Sequence, residues 1–324
     1  MSPTVLLVDD EPANLALLRS ILGAHYRLAY ATDGASARSA VLKHKPALIL
    51  LDVDLPDISG YALCPQLKRL DPDQAVQVIF VTSFGGVEQE TAGFAAGAVD
   101  YIVKPVSSPI VVARVAAHLS RVRIEVLERS QRDAIQMLGR AGHFNDSDTG
   151  AHIWRMGAYS AALARAAGWD LEAAERLELA APMHDTGKLG VPQAILRKPT
   201  ALDAAEWAIM RTHPRIGHSI LSQSDTPLFR LAAEVALRHH ERWDGSGYPD
   251  GLRGDAIPES ARIVALADVY DALSVRRPYK PAWSREEVLT QLRAGCGSHF
   301  DPRLCALFID MLPEIEAIRG RFGE

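Results

Sequence analysis

Cysteine is scarce. Cys64, Cys296 and Cys305 are the only three in 324 residues, and none stands at paired metal spacing. That excludes a thiolate-held metal and leaves the three as small core or surface residues in a reducing compartment. An excess of one charge is also lacking, with 35 Lys+Arg against 40 Asp+Glu and a net charge of −5. The first 120 residues hold 9 basic against 12 acidic groups, the remainder 26 against 28. Neither part is basic, so a nucleic-acid polymer is not an expected partner. No apolar run approaches the ~18 residues that span a bilayer, so membrane insertion is not expected. The first apolar run ends at Val8 and meets Asp9-Asp10-Glu11, unlike a signal peptide, and the expectation is a cytoplasmic protein. What is present is 48% apolar and 23% charged residues, a globular balance, in a length that suits two domains with separate cores.

Short apolar runs alternate with amphipathic stretches over the first 120 residues. Runs at Val5–Val8, Leu28–Ala31, Leu48–Leu51, Val78–Val81 and Tyr101–Val103 read as buried strands, and 13–22, 35–44, 60–69, 88–96 and 108–120 as helices. Five alternations predict an α/β doubly wound, five-stranded parallel sheet, whose site lies beyond the carboxyl ends of the strands. The polar residues fall there: Asp9 and Asp10 after the first strand, Asp52 after the third, Thr82 after the fourth, Lys104-Pro105 after the fifth. Three carboxylates at one sheet edge repel unless a cation joins them, and hard oxygen ligands favour Mg²⁺. Asp52 could then attack a phosphoryl donor while Mg²⁺ and Lys104 neutralise the transferred charge.

Residues 3–122 resemble the receiver domain of two-component response regulators. Asp9-Asp10, the Leu-Leu-Asp52-Val-Asp-Leu-Pro run, Thr82-Ser83, Tyr101 and Lys104-Pro105 carry the likeness. The resemblance implies that Asp52 is the phosphoacceptor, that Asp9, Asp10 and Asp52 hold Mg²⁺, and that Thr82, Tyr101 and Lys104 form the switch. It also implies a sensor histidine kinase as partner and a homodimer.

A continuous helix is predicted across 108–140, which lacks Pro after Pro109 and Gly before Gly139. Beyond 140 the pattern is all-α. Ile153, Met156, Tyr159 and Leu163 form one helical stripe, and helices are expected at 170–183, from the Asp203/Glu206 capping box through Arg211, and at 229–240, 260–274, 284–294 and 302–311. The expected domains are 1–122, a connector at 123–140 and 141–324.

This second part is organised around His184-Asp185-Thr186-Gly187-Lys188. An adjacent His-Asp pair offers a metal one imidazole and one carboxylate, and the carboxylate can bridge a second ion. Lys188, four residues after His184, would share its face on a helix. His152 stands upstream, with Asp148 four residues before it; His213, His239-His240 and Asp268 follow. Five of the eleven histidines thus fit one cluster. Imidazoles mixed with carboxylates suit Fe, Mn, Zn or Ni, and so many ligands imply two or three ions.

Residues 140–312 closely resemble the HD-GYP family of cyclic di-GMP phosphodiesterases. Thr149-Gly-Ala-His152-Ile-Trp-Arg155, His184-Asp-Thr-Gly-Lys188, His213-Pro214, His239-His240-Glu241-Arg242, Asp244-Gly-Ser-Gly-Tyr248-Pro249, Asp268-Val-Tyr-Asp271 and Arg277-Pro-Tyr-Lys280 match in order. The resemblance implies that His152, His184, Asp185, His213, His239, His240 and Asp268 ligate metal, with Asp185 bridging and catalytic beside Lys188. It further implies that Lys188, Tyr248, Arg277 and Lys280 hold the phosphates and guanines of the substrate, that the ions are Fe or Mn before Ni or Zn, and that the product is pGpG or GMP. A diguanylate cyclase or adapter protein would be a partner. Members with a third ion carry Glu where this chain has Asp148, one methylene shorter. Two other readings stay open, a metal phosphohydrolase for another nucleotide and a silent protein-binding adapter.

Overall fold

The computed structural model describes residues 2–70, 76–83, 87–142, 150–275 and 282–322. The chain divides into two compact units, Met1–Ser130 and Gln131–Glu324.

In the first unit, strands β1 (Thr4–Val8), β2 (Arg27–Ala31), β3 (Leu48–Asp52), β4 (Gln77–Thr82) and β5 (Asp100–Val103) pair in parallel in the order β2-β1-β3-β4-β5. Alternate residues of each strand face opposite sides, so the sheet carries two cores. Val5 and Leu7 of β1 pack with α1 (Pro12–Leu22) and with Val111, Val115 and Leu119 of α5 (Ser108–Gly142). Leu6 and Val8 pack against α2 (Gly34–His44) and α3 (Gly60–Leu70); α4 (Val87–Ala95) lies between β4 and β5 in the chain. Asp33 opens α2 through a capping box with Ser36, satisfying two backbone donors at that terminus. Between β1 and β3 the direction of winding reverses, and the loops there open a crevice at the carboxyl edge.

The second unit is helical: after the last turns of α5 come α6 (Gly150–Ala166), α7 (Leu171–Ala180), α8 (Gln193–Leu196), α9 (Ala204–Met210), α10 (His213–Leu221), α11 (Pro227–Arg238), α12 (Glu259–Ser274), α13 (Arg285–Gly295), α14 (Pro302–Asp310) and α15 (Leu312–Arg321). Met156, Tyr159 and Leu163 of α6 pack with Ile263, Leu266 and Tyr270 of α12 and with Phe308 and Ile315 of the closing helices. A second cluster joins Ile135 of α5 to Met183, Leu221 and the buried alanines of α11.

Helices α8 and α10 lie outside those expected from the sequence, and three further features differ from that reading. Residues 184–188 are not α-helical: His184 closes a 3-10 turn over Ala181–Met183, and a second runs over Thr186–Gly190. A Cβ on Gly187 would lie 1.8 Å from His213 O, so this segment rests backbone to backbone on α10. Cys296 and Cys305 are paired in a disulfide, because the turn through Gly297 (φ +79°) brings the end of α13 back onto α14. Finally, α15 follows the expected closing pair.

Candidate metal centre and phosphoacceptor site

Asp185 occupies the middle of the helical unit's polar cluster. Its Oδ2 lies 3.2 Å from His184 Nε2 and 2.7 Å from Lys188 Nζ. Its Oδ1 lies 3.3 Å from His213 Nε2 and 3.7 Å from His239 Nε2. The carboxylate therefore faces two donor sets at once. Asp185, His213, His239 and His240 bring ligand atoms within 4.8 Å of one another; so do His152, His184 and Asp268. Asp268 Oδ1 stands 3.6 Å from His152 Nε2 and 4.0 Å from His184 Nε2, and a quarter of its side chain stays accessible despite the apolar helix around it.

The backbone sets which ring nitrogen faces the cluster. His184 Nδ1 donates to Ala181 O (3.0 Å), His213 Nδ1 to Met210 O (2.8 Å), and His239 Nδ1 to Val235 O (3.1 Å) and Ala236 O (3.0 Å). A carbonyl only accepts, so each Nδ1 carries a proton and each Nε2 faces the cluster, the nitrogen that would bind an ion once it bears no proton. His213 Nε2 and His239 Nε2 are buried and make no hydrogen bond among the described residues. Buried acceptors without donors are costly, and a divalent cation among them is the chemistry that resolves it. The donor set fits such ions.

Burial holds His213 down at about 4 and His240 well below its ordinary value. For His184 burial acts the same way, but the Asp185 and Asp268 carboxylates outweigh it and raise the ring to about 9. Burial would raise Asp185; Lys188 and His184 overcome it and keep the carboxyl well below its usual range.

Two supports were not legible as such. Asp271, one turn beyond Asp268, is 1% exposed and accepts from His152 Nδ1 (2.6 Å), Arg155 Nε (2.7 Å) and Arg155 Nη2 (2.9 Å). Its spacing from Asp268 on α12 was the available signal. Glu241, 3% exposed, accepts from the backbone N–H of Asp250 (2.9 Å) and Leu252 (3.0 Å) and so shapes the loop that carries Tyr248. Tyr248 lies flat on His240, ring centroids 4.7 Å apart at 27°. Asp148, Arg277 and Lys280 lie outside the described residues.

At the sheet edge of the first unit, Asp9, Asp10 and Asp52 also bring oxygens within 4.8 Å of one another. Lys104 Nζ bonds Asp9 Oδ2 (2.8 Å) and Asp52 Oδ2 (2.7 Å). Burial raises the Asp52 carboxyl against the lowering by Lys104, and these carboxylates keep Lys104 above its ordinary value although burial opposes it. Thr82, buried, ends β4 and accepts from Lys104 N through its carbonyl (2.8 Å). The half-buried Tyr101 meets Phe94 edge-on at 6.3 Å, and Arg114 lies over its ring.

A doubly wound sheet with this acidic edge, joined to a helical unit with clustered His and Asp, defines a response regulator with an enzymatic output domain. The comparisons agree. The response regulator receiver domain family matches residues 5–116 and the HD domain family residues 115–304. The cyclic di-GMP phosphodiesterase response regulator RpfG of Xanthomonas campestris pv. campestris is 34% identical, with 98% of this chain and 90% of the relative covered. A cyclic di-GMP phosphodiesterase of Thermotoga maritima is 33% identical over 98% of this chain and 93% of its own length. A 3'3'-cGAMP-specific phosphodiesterase of Vibrio cholerae is 43% identical over 60% of this chain and 37% of its own. The chain belongs to the response regulators that join a receiver domain to an HD-domain hydrolase. No helix among the described residues is long and apolar enough to cross a membrane.

Proposed function

We propose that the chain hydrolyses cyclic di-GMP at a centre of two divalent ions and that phosphorylation of Asp52 regulates it. The observation that carries this reading is Asp185, whose two oxygens face two separate imidazole sets. His213, His239 and His240 would hold one ion, His152, His184 and Asp268 the other, with Asp185 between them; a mixed imidazole and carboxylate set suits Fe, Mn, Zn or Ni, and the family resemblance favours Fe or Mn. When bound, the pair supplies Lewis acidity at the phosphoryl oxygens and an activated water. Lys188, fixed on Asp185 Oδ2, presents positive charge where the transition state gains negative charge. Tyr248, packed on His240, lies against that side of the centre.

In the first unit, Asp9, Asp10 and Asp52 would hold Mg²⁺, and Lys104 would neutralise the phosphoryl group that a sensor kinase places on Asp52. The test is turnover of cyclic di-GMP, 3'3'-cGAMP and cyclic di-AMP by protein purified without oxygen, with metal analysis of the same sample. Preference for cyclic di-GMP with about two ions per chain is expected; inactivity toward all three in metal-loaded protein would refute the reading.

A further inference from the structure

The proposed reaction places the scissile phosphate at the metals but leaves open how a purine is chosen. The last turn of α9 bears on this. Arg211, its C-cap, donates its N–H to Trp207 O (2.9 Å), so the two side chains stand one turn apart on one face. The Arg211 guanidinium lies 5.8 Å from the Trp207 ring centroid and 5.3 Å from that of Tyr248. Tyr248 in turn stacks on His240. Four planar groups therefore lead, each within cation–π or stacking distance of the next, from the surface to a candidate metal ligand.

The series is held at both ends. Asp203 and Glu206 form a capping box that opens α9, and His213 Nδ1 bonds Met210 O just before Arg211. Packing does not account for it. Trp207 is 45% exposed and joins neither core cluster of the helical unit. Arg211 is exposed and makes no ion pair among the described residues, whereas the nearby Arg215 and Arg238 both bind Asp250. A cation oriented by two rings, with its hydrogen-bonding edge unneutralised, beside an exposed indole, is a receptor for a flat ligand with acceptors on its rim.

We propose that Trp207, Arg211 and Tyr248 form a purine subsite at the mouth of the metal centre. One guanine of the cyclic dinucleotide stacks on Trp207, and Arg211 donates to its O6 and N7. Guanine offers two acceptors on that edge, whereas adenine offers one acceptor and a donor, so Arg211 selects guanine. Stacking on Trp207 serves either base, because each has a π-face. The inference rests on the phosphodiesterase reading and adds to it the base selectivity.

The test compares the unaltered protein with Trp207→Ala, Arg211→Ala and Arg211→Lys, all metal-loaded, on cyclic di-GMP, cyclic di-AMP and bis(p-nitrophenyl) phosphate, which has no base. Trp207→Ala should raise KM for both cyclic dinucleotides about tenfold or more, with kcat within about twofold. Arg211→Ala should cut the preference for cyclic di-GMP over cyclic di-AMP about tenfold or more, and Arg211→Lys should not restore it, because an ammonium lacks the two-pronged edge. Turnover of the base-free ester should hold in all three, showing that the fold and the metals are intact. Unchanged KM values and preference, or full preference in Arg211→Lys, would overturn the subsite. Should the unaltered protein hydrolyse no cyclic dinucleotide, the phosphodiesterase reading falls separately. Calorimetric Kd values for cyclic di-GMP in chelator then judge the subsite, equal values in all four proteins overturning it.

Discussion

Asp271→Asn should weaken both the fold of the helical unit and its hold on metal. The carboxylate is 1% exposed and accepts three charge-assisted bonds, two from the equally buried Arg155 and one from His152 Nδ1. Burial would raise its pKa, but Arg155 and His152 keep it below the ordinary value, so it is ionised at neutral pH. An amide of the same size keeps one acceptor and turns an N–H₂ either toward Arg155 Nε or toward His152 Nδ1 and Arg155 Nη2 together, donor against donor. The buried guanidinium then faces a neutral group, a change that costs ~3–5 kcal/mol. With the amide donating to His152, the imidazole moves its proton to Nε2, the nitrogen 3.6 Å from Asp268. Loss of such an orienting partner lowers metal affinity roughly 10–100-fold. Urea unfolding of the metal-free protein reads the first effect and titration calorimetry with Mn²⁺ the second. The double variant Arg155→Met/Asp271→Leu separates them, since apolar replacement of a buried pair restores stability without restoring the tautomer. A single variant within about 1 kcal/mol of the parent, with unchanged metal affinity, would refute the reasoning.

Asp185→Ala removes the carboxylate shared by both donor sets, and turnover should fall on the order of a thousandfold with loss of bound metal; metal-to-protein ratios and rates check it. Asp52→Asn should abolish uptake of a phosphoryl group from acetyl phosphate, read by phosphate-affinity electrophoresis, and should remove any response of cyclic di-GMP turnover to beryllofluoride. Equal labelling of the variant and its parent would place the phosphoacceptor elsewhere. His299, stacked on Phe300 at 4.2 Å, is held by burial at about 4 instead of 6.5. Its folded pKa is depressed, so the unfolded chain takes up the proton first, and stability present above pH 6.5 declines toward pH 4, by at most roughly 3 kcal/mol. His299→Gln should flatten that part of the stability–pH curve; an unchanged slope in denaturant titrations at pH 7, 6, 5 and 4.5 would sink the assignment.

The order of elements is legible because each buried strand of the first unit is a short apolar run closed by a polar residue, and Asp9, Asp52, Thr82 and Lys104 end those runs. The helical unit is harder to read. Its boundaries follow from caps such as Asp203/Glu206, but α15 follows α14 so closely, with Met311 between Asp310 and Leu312, that the stripe shows no break. The bond between Cys296 and Cys305 has no spacing signature; it depends on how α13 and α14 meet. Histidines announce metal chemistry by type and order, whereas their orientation depends on pairs distant in the chain. Arg155 and Asp271 are 116 residues apart, and only the packing of α6 on α12 joins them. The stack from Trp207 to His240 is hidden for the same reason, since a loop some forty residues later supplies Tyr248.

The carbonyl bonds at His184, His213 and His239 bear on how this centre tolerates mutation. Peptide oxygens are present whatever side chain a codon specifies, so substitutions at Ala181, Met210 or Val235 leave the tautomers of these three rings in place as long as the turns form. His152 lacks that protection, because its orienting acceptor is a side chain that one base change can replace. Mutational robustness is thus unequal across the two donor sets. Drift in sequence would degrade the half containing His152 and Asp268 first, leaving the His213 and His239 half still competent to hold an ion.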